Sequence, residues 1–442
     1  MEQIVIIGNG IAGITAARHL RKLSDTPKGG AGKKITIISA EANYFFSRTA
    51  LMYVYMGHMR WRDIEPYEPW FWEKNRLELK QAYVEKVDTD AKVLYLKEGG
   101  TVSYDQLIIA SGSAPNFIGW EGQELNGVQG LVSKQDLETL EKNAPNNKEC
   151  PRAVIVGGGL IGVEMAEMLR TRKIKVTMLV REDAFWANTL PKQDAEMISR
   201  HIQSHGVELR HNAELDKILD DGKGNVRAVI TKDGDEIPCT LVGITTGVKP
   251  QISFLQHSKI ETDRGILVNR RLETNIKNVY AIGDCAQQRE PIGNRPAVEA
   301  VWYTGRMMGE TVAQTLCGNP MDYKPGNWFN SAKFFDIEYQ TYGWVFSESK
   351  RKDYEAQFHW KCASDKRCVS VSYHKESSEF LGINTFGIRM KHEVFDRWLN
   401  EKRSVDYVME HLKEANFDPE FYRKYEKEIL KEYETFTNLA TS

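Results

Sequence analysis

The sequence predicts an α/β protein: two parallel-sheet domains joined to a smaller α+β domain that ends in a helical tail. Three observations carry this. Ile4 to Leu20 reads IVIIGNGIAGITAARHL and Val154 to Leu169 reads VIVGGGLIGVEMAEML, so a buried-strand run, a glycine loop and a small-residue helix occur twice in the same order. From about Pro325 that grammar stops and short β-rich stretches take over, as in Ser331 to Tyr342 and Val369 to Tyr373. The length of 442 residues suits about three domains.

Composition narrows the function classes. Lys and Arg number 59 against 61 Asp and Glu, which provides no basic field for a polyphosphate backbone, so nucleic acid is not an expected partner. The six cysteines contain no CxxC pair and no ladder of short spacings, as expected of a reduced, cytoplasmic chain. The first apolar run, Ile4 to Ile7, breaks at Gly8, and no run approaches the ~20 apolar residues that span a bilayer. A soluble protein is expected, at most peripheral to the inner face of a membrane.

The elements follow in order. After the first helix, Ser24 to Lys33 (SDTPKGGAGK) reads as an exposed loop before the strand Ile35 to Ile38. Residues 61–72 (WRDIEPYEPWFW) hold five aromatics and two prolines and suggest a packed, irregular segment. Val176 to Val180 is the second strand of the second unit. In the tail, Ser404 can cap one helix and Asp418-Pro419 can open another. Phe421, Tyr425, Ile429, Tyr433 and Phe436 form an apolar stripe at helical spacing, expected to pack on the body or a partner subunit.

Each GxGxxG follows a strand and opens a helix, which is the Rossmann-like context for a dinucleotide. Gly8, Gly10 and Gly13 serve the tight turn, the approach to pyrophosphate and helix packing, with Ile11 and Ala12 starting the helix whose N-terminus faces the phosphates. Glu41, just past the second strand, is placed to accept from ribose hydroxyls. Gly157, Gly159 and Gly162, with Leu160 and Ile161, repeat the arrangement. There the ribose carboxylate is missing: Val180 takes its place, followed by Arg181, which could pair with a 2′-phosphate or be a solvated loop charge. The nucleotide is therefore written NAD(P)H.

Two further segments, Leu107 to Gly112 (LIIASG) and Thr274 to Asp284 (TNIKNVYAIGD), complete a set of four motifs in register. With them, residues 1 to about 320 resemble the pyridine nucleotide-disulfide oxidoreductase superfamily, flavoproteins with two dinucleotide-binding domains. The resemblance implies FAD in the first fold and NAD(P)H in the second. It implies domains at 1–115 with 248–324 (FAD), 116–247 (NAD(P)H) and 325–442 (interface domain with helical tail). It also assigns Gly283 and Asp284 to the FAD ribitol or pyrophosphate region, Ala110, Ser111 and Gly112 to the crossover between domains, and Val84 to the adenine. Ser111 replaces the family's usual Thr.

Asn43 to Gly57 (NYFFSRTALMYVYMG) identifies the branch. Where relatives with thiol chemistry carry a single redox cysteine, this chain has Ala50, and no cysteine precedes Cys150. The same stretch resembles the Arg-Pro-x-Leu-Ser-Lys pattern of rubredoxin reductases, ferredoxin reductases and the flavin module of nitrite reductase. Arg48 matches the arginine facing the FAD pyrophosphate; Thr49, Met52 and Tyr53 replace Pro, Ser and Lys. Trp302 falls where ferredoxin-reductase relatives carry a Trp beside the flavin, although a core Trp fits the same pattern. Glu164 lies where relatives approach the nicotinamide, and a carboxylate among small apolar residues favours a site role. Cys285 reads as a packed residue.

The resemblance implies an FAD-dependent NAD(P)H oxidoreductase that passes electrons from the flavin to a separate acceptor without a redox-active cysteine. Glu164, Trp302 and Tyr53 are the expected residues at the reacting rings. The acceptor is expected to be rubredoxin, ferredoxin or another small redox protein, with a quinone as an alternative. The rivals are a type II NADH:quinone-like reductase at a membrane surface and a redox-responsive interaction protein resembling apoptosis-inducing factor. No metal is expected, and a homodimer stays open.

Overall fold

The computed structural model describes residues 1–24, 32–363, 366–417 and 423–441. The Asp418-Pro419 cap, Phe421 and most of the loop at 24–33 lie outside the described residues. The chain forms two compact units, residues 1–116 with 130–142 and 247–325, and residues 117–129 with 143–246 and 326–442.

In the first unit, five parallel strands lie in the order Val279–Ala281, Gln106–Ile109, Glu2–Ile7, Lys33–Ser39, Leu77–Gln81. The central strand is covered on both faces, which is why it reads as an unbroken apolar run: Ile4 and Ile6 are fully buried, with Ile35, Leu107 and Ile109 beside them. Helices Ile11–Ser24 and Trp302–Leu316 pack against each other so closely that a Cβ at Gly309 would lie 2.6 Å from the Ala12 carbonyl oxygen. An antiparallel sheet of Val84–Asp88, Val93–Leu96 and Thr101–Ser103 completes the unit's larger sheets. Residues 61–72 are more regular than their composition suggests. A 3-10 turn spans Trp61–Ile64, a short helix spans Trp70–Lys74, and Tyr67 stacks on Phe71 at 4.3 Å over the buried Trp72.

The second unit repeats the parallel design in the order Val207–Arg210, Lys175–Leu179, Arg152–Val156, Leu241–Ile244, Val128–Gln129. An antiparallel sheet of Leu215–Asp220, Val226–Thr231 and Glu236–Pro238 follows. The C-terminal part is a five-stranded antiparallel sheet, ordered Phe329–Phe334, Ile337–Gly343, Phe380–Phe386, Cys368–His374, Glu355–Lys361. Helices His392–Asn400, Val405–Glu410 and Glu426–Thr441 belong to the same part. Ser404 caps the second of these, its hydroxyl oxygen accepting from the Tyr407 N–H at 3.2 Å. Tyr425, Ile429 and Tyr433 are buried in the core of this sheet, so the apolar stripe of the tail packs on its own fold. Among the described residues no helix is long and apolar enough to cross a membrane.

Candidate functional site

The first glycine loop leaves the central strand at Gly8. Its φ of 108° is left-handed territory, and a Cβ there would sit 2.1 Å from the Ala110 carbonyl oxygen. Gly13 is equally constrained, because its Cβ would lie 2.0 Å from the Gly8 oxygen. Gly10 differs: among the described residues nothing lies within 4 Å of a Cβ added to it. The fold therefore requires glycine at the two flanking positions, while at the middle one it leaves room at the start of the helix. Asn9 is buried there with neither side-chain polar atom hydrogen-bonded. Open space, an unsatisfied amide and a helix N-terminus fit the pyrophosphate of FAD.

The second loop repeats this. Gly157 has φ 123°, and a Cβ on it would meet the Thr245 oxygen at 2.6 Å. At Gly162 a Cβ would lie 2.7 Å from the Gly157 oxygen, whereas nothing lies within 4 Å of one at Gly159 among the described residues. Gly159 is also the N-cap of helix Leu160–Thr171 and offers no side-chain cap, so the N–H groups of Leu160 and Ile161 begin a turn open to an anion. This site fits the pyrophosphate of NAD(P)H.

Beyond the first loop, Glu41 is engaged by the protein. Arg48 Nη1 and Nη2 donate to its two oxygens at 2.8 and 2.6 Å, and the Lys134 N–H donates to Oε1 at 2.8 Å. Arg48 also donates to the Val132 carbonyl. Burial works against the guanidinium's charge, but Glu41 beside it holds its pKa above the ordinary value. Glu41 and Arg48 are thus brought together, and Glu41 keeps limited lone-pair capacity for a ribose. Asp284 follows Gly283 in a 3-10 turn and accepts from the Ser113 hydroxyl at 2.8 Å. Burial pushes its carboxyl up, against the pull of Ser113 and Arg48. Ser111 donates to the Gln251 carbonyl at 2.8 Å, Ala110 is buried and Gly112 has φ 71°. Val84 is buried at the start of its strand.

Trp302 opens helix Trp302–Leu316 half-buried, edge-on to Tyr303 at 5.5 Å. Tyr53 is half-buried in helix Leu51–Tyr55 and stacks on His58 at 6.2 Å. Ala50 ends the 3-10 turn Arg48–Ala50. All six cysteines are thiols, and burial pushes the fully buried Cys285 up, out of reach of easy ionisation.

In the second unit, Glu164 is pushed up to about 7 by burial and by Glu167, with Lys333 pulling the other way. Lys333 Nζ donates to Glu167 Oε1 at 2.6 Å. Arg181 is 72% exposed and pairs with Glu182 at 2.9 Å, clear of the buried Val180. Sequence reasoning missed Asn9, the Lys134 amide and the Glu167–Lys333 pair. The only signal for the first was its place inside the loop; the others come from segments distant in the chain.

Residues 2–309 match the family model of pyridine nucleotide-disulphide oxidoreductases. The chain is 27% identical to the rubredoxin-NAD(+) reductase of Ectopseudomonas oleovorans over 74% of its length and 83% of that protein. It is 28% identical to the ferredoxin--NAD(P)(+) reductase of a Sphingomonas species, over 77% of this chain and 80% of that one. It is 28% identical to the nitrite reductase [NAD(P)H] of Bacillus subtilis over 65% of this chain, which spans only 35% of that longer protein. The crystal structure of a ferredoxin reductase from Rhodopseudomonas palustris superposes with a TM-score of 0.81 at 20% identity, covering 96% of this chain and 98% of that one.

Proposed function

The chain belongs to the pyridine nucleotide-disulphide oxidoreductase family, and from that premise we propose that it is an FAD-dependent NAD(P)H oxidoreductase. Electrons drawn from NAD(P)H pass to a separate acceptor, a small redox protein of the rubredoxin or ferredoxin kind. One observation carries the reading. The two glycine cradles share one pattern: the flanking glycines are sterically required, and nothing among the described residues outside the adjoining backbone lies within 4 Å of a Cβ added to the middle one.

Bound FAD supplies a group that takes up two electrons together and can release them singly, so position and electrostatics are what the chain must provide. The loops at Gly8–Gly13 and Gly157–Gly162 present helix N-termini to the two pyrophosphates. Arg48, kept charged by Glu41, and Asp284 anchor the flavin side of the first cradle. The carboxyl of Glu164, with its pKa about 7, can hold or release a proton beside the nicotinamide near neutral pH. Trp302 and Tyr53 offer aromatic faces that exclude water from the reacting rings. Ala50 offers no thiol, so electrons leave without a cysteine relay. In this reading residues 1–115 with 248–324 hold FAD, 116–247 hold NAD(P)H, and 325–442 form the interface domain.

In this reading the reaction takes place in the cytoplasm. A seat on the membrane has weaker support, because Tyr425, Ile429 and Tyr433 are already buried in the chain's own core. The test is direct: purified protein is expected to be yellow, to bleach anaerobically with NAD(P)H, and to be reoxidised faster by rubredoxin or ferredoxin than by a soluble quinone or coenzyme A disulfide. A protein that stays colourless with added FAD overturns the flavin assignment. Rapid turnover of coenzyme A disulfide overturns the argument from Ala50.

A further inference from the structure

A cluster in the second unit uses no residue of either glycine loop. His201 lies on helix Lys192–Ser204 and His205 directly follows it, four residues on, so the two rings share a face. Opposite them is Asp336, in the two-residue turn between strands Phe329–Phe334 and Ile337–Gly343. The ligand atoms of all three lie within 4.8 Å of one another.

Two imidazoles converge on one carboxylate oxygen at this cluster. His205 Nδ1 is 3.0 Å from the His201 carbonyl oxygen, and a carbonyl only accepts, so Nδ1 carries the hydrogen. The other ring nitrogen, Nε2, faces Asp336 Oδ1, 3.3 Å away. His201 Nε2 approaches the same oxygen at 2.6 Å, outside the angles of a well-formed hydrogen bond, and its side chain is only 4% exposed.

The turn adds a second observation. Phe335 has φ 56°, an outlier for a bulky side chain, and its ring stacks on His205 at 4.4 Å. That strained conformation both fixes the imidazole plane and sets Asp336 against it.

We propose that His201, His205 and Asp336 form a binding site for a divalent transition-metal ion of the zinc class. Two imidazoles and one carboxylate are a familiar donor set for such ions, and the Nδ1–H of His205 bound to a carbonyl is the outer-sphere contact that orients a ligating histidine. Tetrahedral coordination at ordinary zinc bond lengths separates ligand atoms by about 3.3 Å; the His205–Asp336 contact already has that length, and the His201–Asp336 contact must open from 2.6 Å. Asp336 is 57% exposed and His205 32%, which lets water complete the coordination. Lys366 Nζ sits 3.6 Å from the other carboxylate oxygen, Oδ2, leaving Oδ1 to the ion.

The experiment is equilibrium dialysis of chelator-treated full-length protein against Co²⁺, with metal counted by mass spectrometry and the d–d absorption of bound Co²⁺ recorded. One equivalent per chain is expected, with affinity reduced at least on the order of tenfold in both His205→Ala and Asp336→Asn. The metal-free melting temperatures of the variants should match the parent; where His205→Ala falls short, His205→Gln replaces it. Failure of the parent protein to bind Co²⁺ stoichiometrically, or binding that survives in both variants, overturns the site.

Discussion

The two glycine cradles share a backbone and differ in what stands beyond the second strand. In the first, Glu41 is locked by a bidentate arginine and a backbone amide. In the second, Val180 is buried and Arg181 reaches into solvent. In the proposed reading, pyrophosphate recognition is a property of backbone geometry repeated in the two copies within this chain. What lies past it is built separately, closed and pre-organised in one unit and open in the other. A tightly held group suits the first arrangement, an exchanging substrate the second.

The largest effects should come from the glycines that the fold itself requires. Gly13→Ala drives a methyl against the Gly8 oxygen and is expected to cost ~3 kcal/mol with loss of flavin, whereas Gly162→Ala should abolish NAD(P)H binding while the protein stays yellow. Gly10→Ala and Gly159→Ala clash with no described residue, so denaturation midpoints should hold while each weakens its own ligand at least on the order of tenfold. Equal loss of stability in all four variants would remove the distinction between packing and ligand glycines.

Next in size is Arg48→Ala, which strips Glu41 of its partner. A destabilisation of about 1–2 kcal/mol by urea denaturation, with faster flavin release, is expected. An unchanged midpoint would show that the lock does not organise the first cradle.

Glu164→Gln tests the second unit. Glu164 has its folded pKa raised to about 7, so the native state holds a proton that the unfolded chain releases from about 4.5 upward. Stability should therefore fall as pH rises from about 4.5 through about 7 and be flatter in the variant. The rate of anaerobic bleaching by NAD(P)H should likewise inflect near 7 in the parent alone; matching profiles would remove Glu164 from the site. Arg181→Ala should do least: stability within ~0.5 kcal/mol, and a KM change confined to NADPH if this side chain meets a 2′-phosphate.

Features set by neighbours in sequence were legible from sequence. The loops, their strands and the Ser404 cap depend on steric and hydrogen-bond rules that act over a few residues. The Glu41–Arg48 lock was half legible: both residues were singled out, but for separate ligand contacts, because the amide that completes the lock comes from Lys134, far along the chain. The environment of Glu164 was hidden for the same reason, since Lys333 arrives from the C-terminal sheet. The site proposed at His201 and His205 departs from the expectation that no metal is bound. Two histidines at helical spacing mean little until a strained hairpin turn brings Asp336 to them.

The contact between Gly309 and the Ala12 carbonyl has a consequence in time. The helix Ile11–Ser24 is cushioned by a helix encoded about 300 residues later, as is the edge of its sheet by Val279–Ala281. At ordinary rates of synthesis the nascent first unit waits roughly 15 to 60 s for its missing pieces. During that interval the small-residue face of its first helix has no native partner. The helix-to-helix fit that lets glycine meet backbone in the finished protein thus obliges the growing chain to carry an uncovered apolar stripe past the whole of the second cradle.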